Sequence, residues 1–138
     1  MLKYKNMPHT SDLRIMAWGK TLKELFENAA EGMFSLCFDL GKIRKTEHLE
    51  INIEGDEPEE MLINMLREFL FLVNARDMAF KSVSLDADPA EGIRAVASGE
   101  KFSEERHERK HEVKAVTYHA LKIGKTDEGL RANVVFDV

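Results

Sequence analysis

Apolar and polar positions along this chain change period several times, and each change marks an element. Over residues 12–19, Leu13, Ile15 and Ala17 alternate with Arg14, Met16 and Trp18, which predicts a strand. Thr21-Leu22-Lys23-Glu24 is a capping-box pattern, and Leu22, Leu25, Phe26, Ala29, Met33, Leu36 and Cys37 follow at helical spacing. A helix is predicted over 22–38, with Gly32 inside it as a point of close helix approach. Residues 48–54 alternate again through Leu49, Ile51 and Ile53 and predict a second strand. Gly55-Asp56-Glu57-Pro58 then opens a second helix over about 58–76, with Asp56 as its expected N-cap.

Between Met61 and Val73, 10 of 13 residues are apolar and cover most of the helix circumference. A soluble helix of that kind is buried on more than one side, which implies a helical layer faced by sheet on both sides. Strands are expected at 80–86, 93–102, 117–123 and 130–138, with turns at 88–92 and 125–129. The resulting order, β-α-β-α-β-β-β-β, is an α+β pattern, because helices no longer separate the late strands. The 138 residues suit one domain.

Charge narrows the function classes. Lys and Arg number 20 against 25 Asp and Glu, a net −5, so strong nucleic-acid binding by the protein alone is not expected. One cysteine, Cys37, excludes an internal disulfide and a Cys-based zinc finger, and its place in the helix stripe predicts packing. The apolar stretch at 61–73 is too short and too charged to span a bilayer, and no apolar segment follows residues 1–6 as in a signal peptide. A cytoplasmic location is the expectation.

Three places carry candidate chemistry. His9-Thr10-Ser11-Asp12 sets an imidazole and a carboxylate just before the first strand, or is an ordinary hydrogen-bonded turn. At the other end, Asp137 follows Val134-Val135-Phe136. If that apolar tail pairs in a sheet, Asp137 and the α-carboxylate of Val138 are fixed close together and need a cation or donors; otherwise the strand end is solvated. Residues 100–114 hold five acidic and five basic side chains, the pattern of a solvated loop or frayed helical turn. His107 and His111 are four apart, but two histidines make an incomplete zinc site. Five acids in the seven residues 54–60 suit the start of a helix better than a carboxylate active site. No Gly-rich phosphate loop, nucleophile elbow or reactive-cysteine motif is present.

Taken together, several runs resemble the archease family: His9-Thr10-Ser11-Asp12 with Trp18-Gly19 and Thr21-Leu22; Glu27-Asn28-Ala29-Ala30 with Gly32-Met33-Phe34; Gly99-Glu100 with Phe102; Lys114-Ala115-Val116-Thr117-Tyr118-His119; and the terminal Val135-Phe136-Asp137-Val138. Ser11 stands where the family usually has Ala, and Met7-Pro8 where an aromatic-acid pair is common. The resemblance implies a three-layer β/α/β sandwich and a non-enzymatic partner of the RtcB-type tRNA-splicing ligase. Such a partner promotes ligase guanylylation and multiple turnover and broadens nucleotide triphosphate use. It further implies a metal site at Asp12, Asp137 and Val138. Those oxygen-only ligands suit Ca²⁺, or Mg²⁺ or Mn²⁺. His9, Arg106, His107 and Lys114 are second-rank contacts by motif position. A chaperone or adaptor in RNA processing is the alternative reading.

Overall fold

The structure, a computed structural model, describes residues 2–8, 12–88, 92–118 and 121–138. Among them are two α-helices and eight strands: β1 (Tyr4–Pro8), β2 (Leu13–Gly19), α1 (Leu22–Cys37), β3 (Glu47–Ile53), α2 (Pro58–Ala75), β4 (Met78–Asp88), β5 (Gly92–Lys101), β6 (Ala115–Thr117), β7 (Ile123–Thr126) and β8 (Gly129–Asp137). The strands form two antiparallel sheets. One runs β1-β2-β8-β6, with β7 also on β8; the other runs β3-β5-β4. No helix of the described residues is long and apolar enough to cross a membrane.

Both helices follow from their apolar spacing. Thr21 caps α1 by accepting from the Glu24 N–H at 3.2 Å. At α2 the expected cap is corrected. Glu57 holds the N-cap position with no side-chain bond, and the Asp56 N–H instead donates to Glu60 at 3.3 Å. Pro58 supplies the first turn with a preset φ. Leu62, Ile63, Met65, Leu66, Phe69, Leu70 and Val73 of α2 are all buried, so the helix is covered on more than one side, as its composition requires.

Each helix touches strands of both sheets. Phe34 of α1, Phe69 of α2 and Phe80 of β4 meet with ring centroids 5.3 to 6.0 Å apart and tie these layers together. Polar bonds reinforce the ties. The Asn28 amide donates to the Trp18 carbonyl of β2 at 2.8 Å, while neighbouring Glu27 accepts from the Leu85 N–H of β4 at 2.8 Å. Two adjacent residues of α1 thus bind one sheet each. Leu66→Ala, in a site with no solvent exposure, should cost about 2–5 kcal/mol in urea denaturation, through lost transfer energy and the cavity left behind.

Three further expectations are corrected. β1 is an unpredicted strand at the sheet edge. The strand expected at 117–123 is two strands, β6 and β7, which lie end to end along β8. Gly32 admits the sheet rather than the other helix: a Cβ there would lie 2.9 Å from the Ile15 side chain and 3.1 Å from that of Tyr4.

Candidate functional site: two strand ends and a buried glutamate

β2 and β8 run antiparallel with Leu13 opposite Phe136 and Gly19 opposite Leu130. Carrying that register one residue outward sets Asp12, just before β2, across from Asp137, the last residue of β8. The two carboxylates lie 125 positions apart in the chain and come from neighbouring strand ends. Asp12 is partly buried and paired with Arg14, whose Nε lies 3.3 Å from its Oδ1. Asp137 is exposed. Its carbonyl accepts from the Lys114 N–H at 2.8 Å, and its other neighbour in the sheet is Ala115. Val138 is exposed beyond it. His9 lies outside the described residues. Lys114 is therefore beside Asp137 through its backbone, whereas Arg106 and His107 are engaged elsewhere.

That elsewhere is Glu100, at the end of β5. Its carboxylate is nearly inaccessible, with 7% of the side chain exposed, and it gathers three donors. Oε2 accepts from the Arg44 N–H at 2.8 Å and from His107 Nε2 at 2.8 Å, and Oε1 accepts from the Arg106 guanidinium. The His107 ring is fully buried, and its Nδ1 accepts from the Ser103 N–H at 2.8 Å. A ring nitrogen that accepts a backbone N–H carries no proton, so Nε2 bears it: the neutral tautomer is fixed from both sides. His107 and His111 do not share a helical face, and the charge run at 100–114 is not simply a solvated loop.

The Arg44 N–H foremost, then His107 and Arg106, hold the Glu100 carboxyl down to about 2 from an ordinary 4.5, against burial, which pushes it up. A depressed carboxylate adds stability that is complete above its unfolded value and lost as pH falls through the folded one. Urea midpoints of the native protein and Glu100→Gln should therefore differ most above about pH 4.5 and converge towards pH 2.

Residues 109–114 cross the C-terminal ends of both helices. Neither helix has a basic residue in its last turn. The crossing segment brings Arg109, Lys110, His111 and Lys114 to a depression of about 520 Å³ beside Cys37 and Asn74, where positive charge complements the helix dipoles. Its backbone also satisfies α1, with Lys110 donating to the Cys37 carbonyl at 2.9 Å and His111 to that of Leu36 at 3.1 Å. The Arg109 guanidinium stacks 3.7 Å from the centre of the Phe102 ring. Burial pushes the Cys37 thiol up to about 12, with Arg109 pulling it back, which suits a cysteine that packs in the core.

The chain matches the archease protein family over residues 4–138. A Methanosarcina acetivorans archease is 38% identical, with 99% of this chain and 96% of the relative covered. The Pyrococcus furiosus archease is 36% identical over 94% of this chain and 93% of that relative. This chain belongs to the archease family. The solution structure of a Methanobacterium thermoautotrophicum protein covers 99% of both chains with a TM-score of 0.79 at 32% identity. A Thermotoga maritima archease, described as a possible chaperone, has the same fold at 22% identity, with a TM-score of 0.69 over 97% of this chain and 96% of its own.

In this archease two of the quoted motifs take definite physical places. Glu27-Asn28 is the clamp between sheets, and Gly99-Glu100-Phe102 with residues 106–109 is the buried cluster. Arg14 and Glu100 are the site-forming residues that sequence reasoning missed. Arg14 looks like the polar half of an alternating strand. Glu100 looks like one acid in a mixed run, and only its position directly after Gly99 in a strand pattern marks it. Among the described residues no three His, Cys, Asp or Glu side chains converge as a ready-made metal site. The donor set at the strand ends, two carboxylates with Val138 alongside, suits a hard divalent cation but supplies too few oxygens to enclose one.

Proposed function

We propose that this archease is a non-catalytic activator of the RtcB-type RNA ligase in tRNA splicing. It would promote ligase guanylylation and multiple turnover and broaden nucleotide triphosphate use through a divalent-metal-binding acidic tip. The observation that carries this reading is the β2–β8 register, which brings Asp12 and Asp137 to one end of one sheet. Asp12, Asp137 and Val138 would hold the cation, most naturally Ca²⁺, with Mg²⁺ or Mn²⁺ as alternatives. A bound divalent ion supplies charge neutralisation for a triphosphate. The protein's own residues orient the carboxylates. Arg14 steadies Asp12 from within β2, and the Lys114 N–H fixes the backbone of Asp137. The remaining coordination positions would be filled by water or by groups of the ligase, so affinity for the ion should rise in the complex.

The alternative, a chaperone or adaptor in RNA processing, draws on exposed Phe71 and Tyr118 and on the description of the Thermotoga maritima archease as a possible chaperone. Single-turnover guanylylation of the ligase separates the two: an activator raises the yield or rate of the ligase–guanylate adduct, and a general chaperone leaves the folded ligase unchanged. The net charge of −5 adds a second measurement. Filter binding of tRNA to the protein alone at physiological salt should show weak or no affinity. Sub-micromolar binding without the ligase would favour the adaptor.

A further inference from the structure

Asn64, Arg67, Glu68, Phe71 and Asn74 recur at three- and four-residue intervals and form the least covered stripe of α2. Phe71 is 57% exposed, in a helix whose other large apolar residues are buried or half-buried. Three depressions lie along this stripe, of about 640, 320 and 520 Å³. The first and second share Arg67 and Phe71; the second and third share Asn74 and Lys114. They therefore adjoin one another along the stripe as a stepped trough. It runs between an edge strand of each sheet, β3 contributing Asn52 and β6 contributing Ala115 and Val116.

The trough floor is held in shape by α2. Arg67 donates to the Val116 carbonyl at 3.2 Å and lies 5.0 Å from the centre of the Tyr118 ring, and Asn74 donates to the Val113 carbonyl at 2.9 Å. Its ends differ in charge. At the β3 end Glu54 and Glu68 outnumber Arg67, next to the acid-rich turn at 54–60. At the other end Arg109, Lys110 and Lys114 outnumber Asp77 and Glu112. A polyanion such as RNA would be repelled at the first end, so the two signs together favour a different occupant. A polypeptide can carry both signs.

We propose that this trough docks an extended protein segment with basic residues over Glu54 and Glu68, an apolar side chain on Phe71, and acidic residues towards Lys110 and Lys114. From Asn64 to Asn74 the helix rises about 15 Å, the span of about five extended residues. The trough lining includes neither Asp12 nor Asp137, although Lys114 and Ala115 at its side adjoin Asp137, and docking there does not require a metal ion.

The test is a titration of the full-length, ¹⁵N-labelled protein with end-blocked nine-residue peptides. One probe is Arg-Lys-Arg-Leu-Trp-Leu-Glu-Asp-Glu, a second is its reverse, and a third has the same composition with alternating charges. One of the first two should bind at least tenfold more tightly than the third. The largest amide shifts should fall at Arg67, Phe71, Asn74 and Lys114, and both Phe71→Ser and Glu68→Lys should weaken binding at least fivefold. Both substitutions are at exposed positions, so the amide spectrum should otherwise be preserved. Equal affinity for all three peptides, shifts centred elsewhere, or an unaffected Phe71→Ser would overturn the proposal. Concentration-dependent dimerisation abolished by Phe71→Ser would also overturn it, by assigning the trough to a second copy of the chain.

Discussion

Asp12→Ala and Asp137→Ala should each abolish stimulation of ligase guanylylation while leaving the fold intact. The two stability effects should differ. Asp137 is exposed, its backbone bond to Lys114 survives the substitution, and its loss should change stability by no more than about 0.5 kcal/mol. Asp12 is partly buried and paired with Arg14 at 3.3 Å. Two carboxylates alone would repel, and removing one would stabilise the protein. With Arg14 in place the sign reverses, and Asp12→Ala should lose about 1 kcal/mol. Asp12→Asn tests the charge separately, because it keeps the shape. Calorimetry with CaCl₂ should show weak binding to the native protein and none to either alanine variant. Full stimulation by Asp137→Ala would sink the acidic tip as the working part, whatever its effect on calcium binding.

The two helices and their faces are legible in the sequence because both helices are long and periodic, and Met61 to Val73 announces its double-sided burial by composition alone. The strands are legible where one face meets the core, as in Leu13, Ile15 and Ala17 of β2. β1 fails that test. It sits at the sheet edge with Lys5, Asn6 and Met7 exposed, and Tyr4 is the residue that packs on the core, so no alternation marks it. The break between β6 and β7 is equally silent, because both strands pair with the same strand, β8.

The site divides in the same way. That Asp12 and Asp137 matter is implied by family resemblance. That they lie at one sheet end depends on β8 returning beside β2, a contact with no local signature. The Glu100 cluster is hidden for the opposite reason. Its members fall close together in sequence, but in a run balanced between five acids and five bases, where composition argues for solvent. What moves Glu100 and His107 inside is partner supply. The Arg44 and Ser103 N–H groups, Arg106 and the two side chains satisfy one another, which is the condition for burying them at all.

Gly99→Ala should be among the most destabilising single-methyl changes at the described glycines, above about 4 kcal/mol, so that little folded material survives urea concentrations the native protein tolerates. A Cβ at Gly99 would lie 2.1 Å from the Ala79 carbonyl oxygen and 2.7 Å from the Phe80 Cα. Both are backbone atoms of β4, so no rotamer change relieves the clash. The strand pair already departs from regular register here, between Phe80 and Ser82, and Phe80 anchors the aromatic cluster that joins the layers. Pushing β4 away would therefore disturb the core as well as the ladder. It would also shift Glu100, the next residue, away from Arg44 and His107 and leave a buried carboxylate short of donors. Gly124→Ala is the control: the added methyl meets nothing within 4 Å in β7, and stability should stay within about 0.5 kcal/mol of the native protein. Similar losses for the two variants would mean that a general glycine effect, and not the close approach of β4 to β5, accounts for the result.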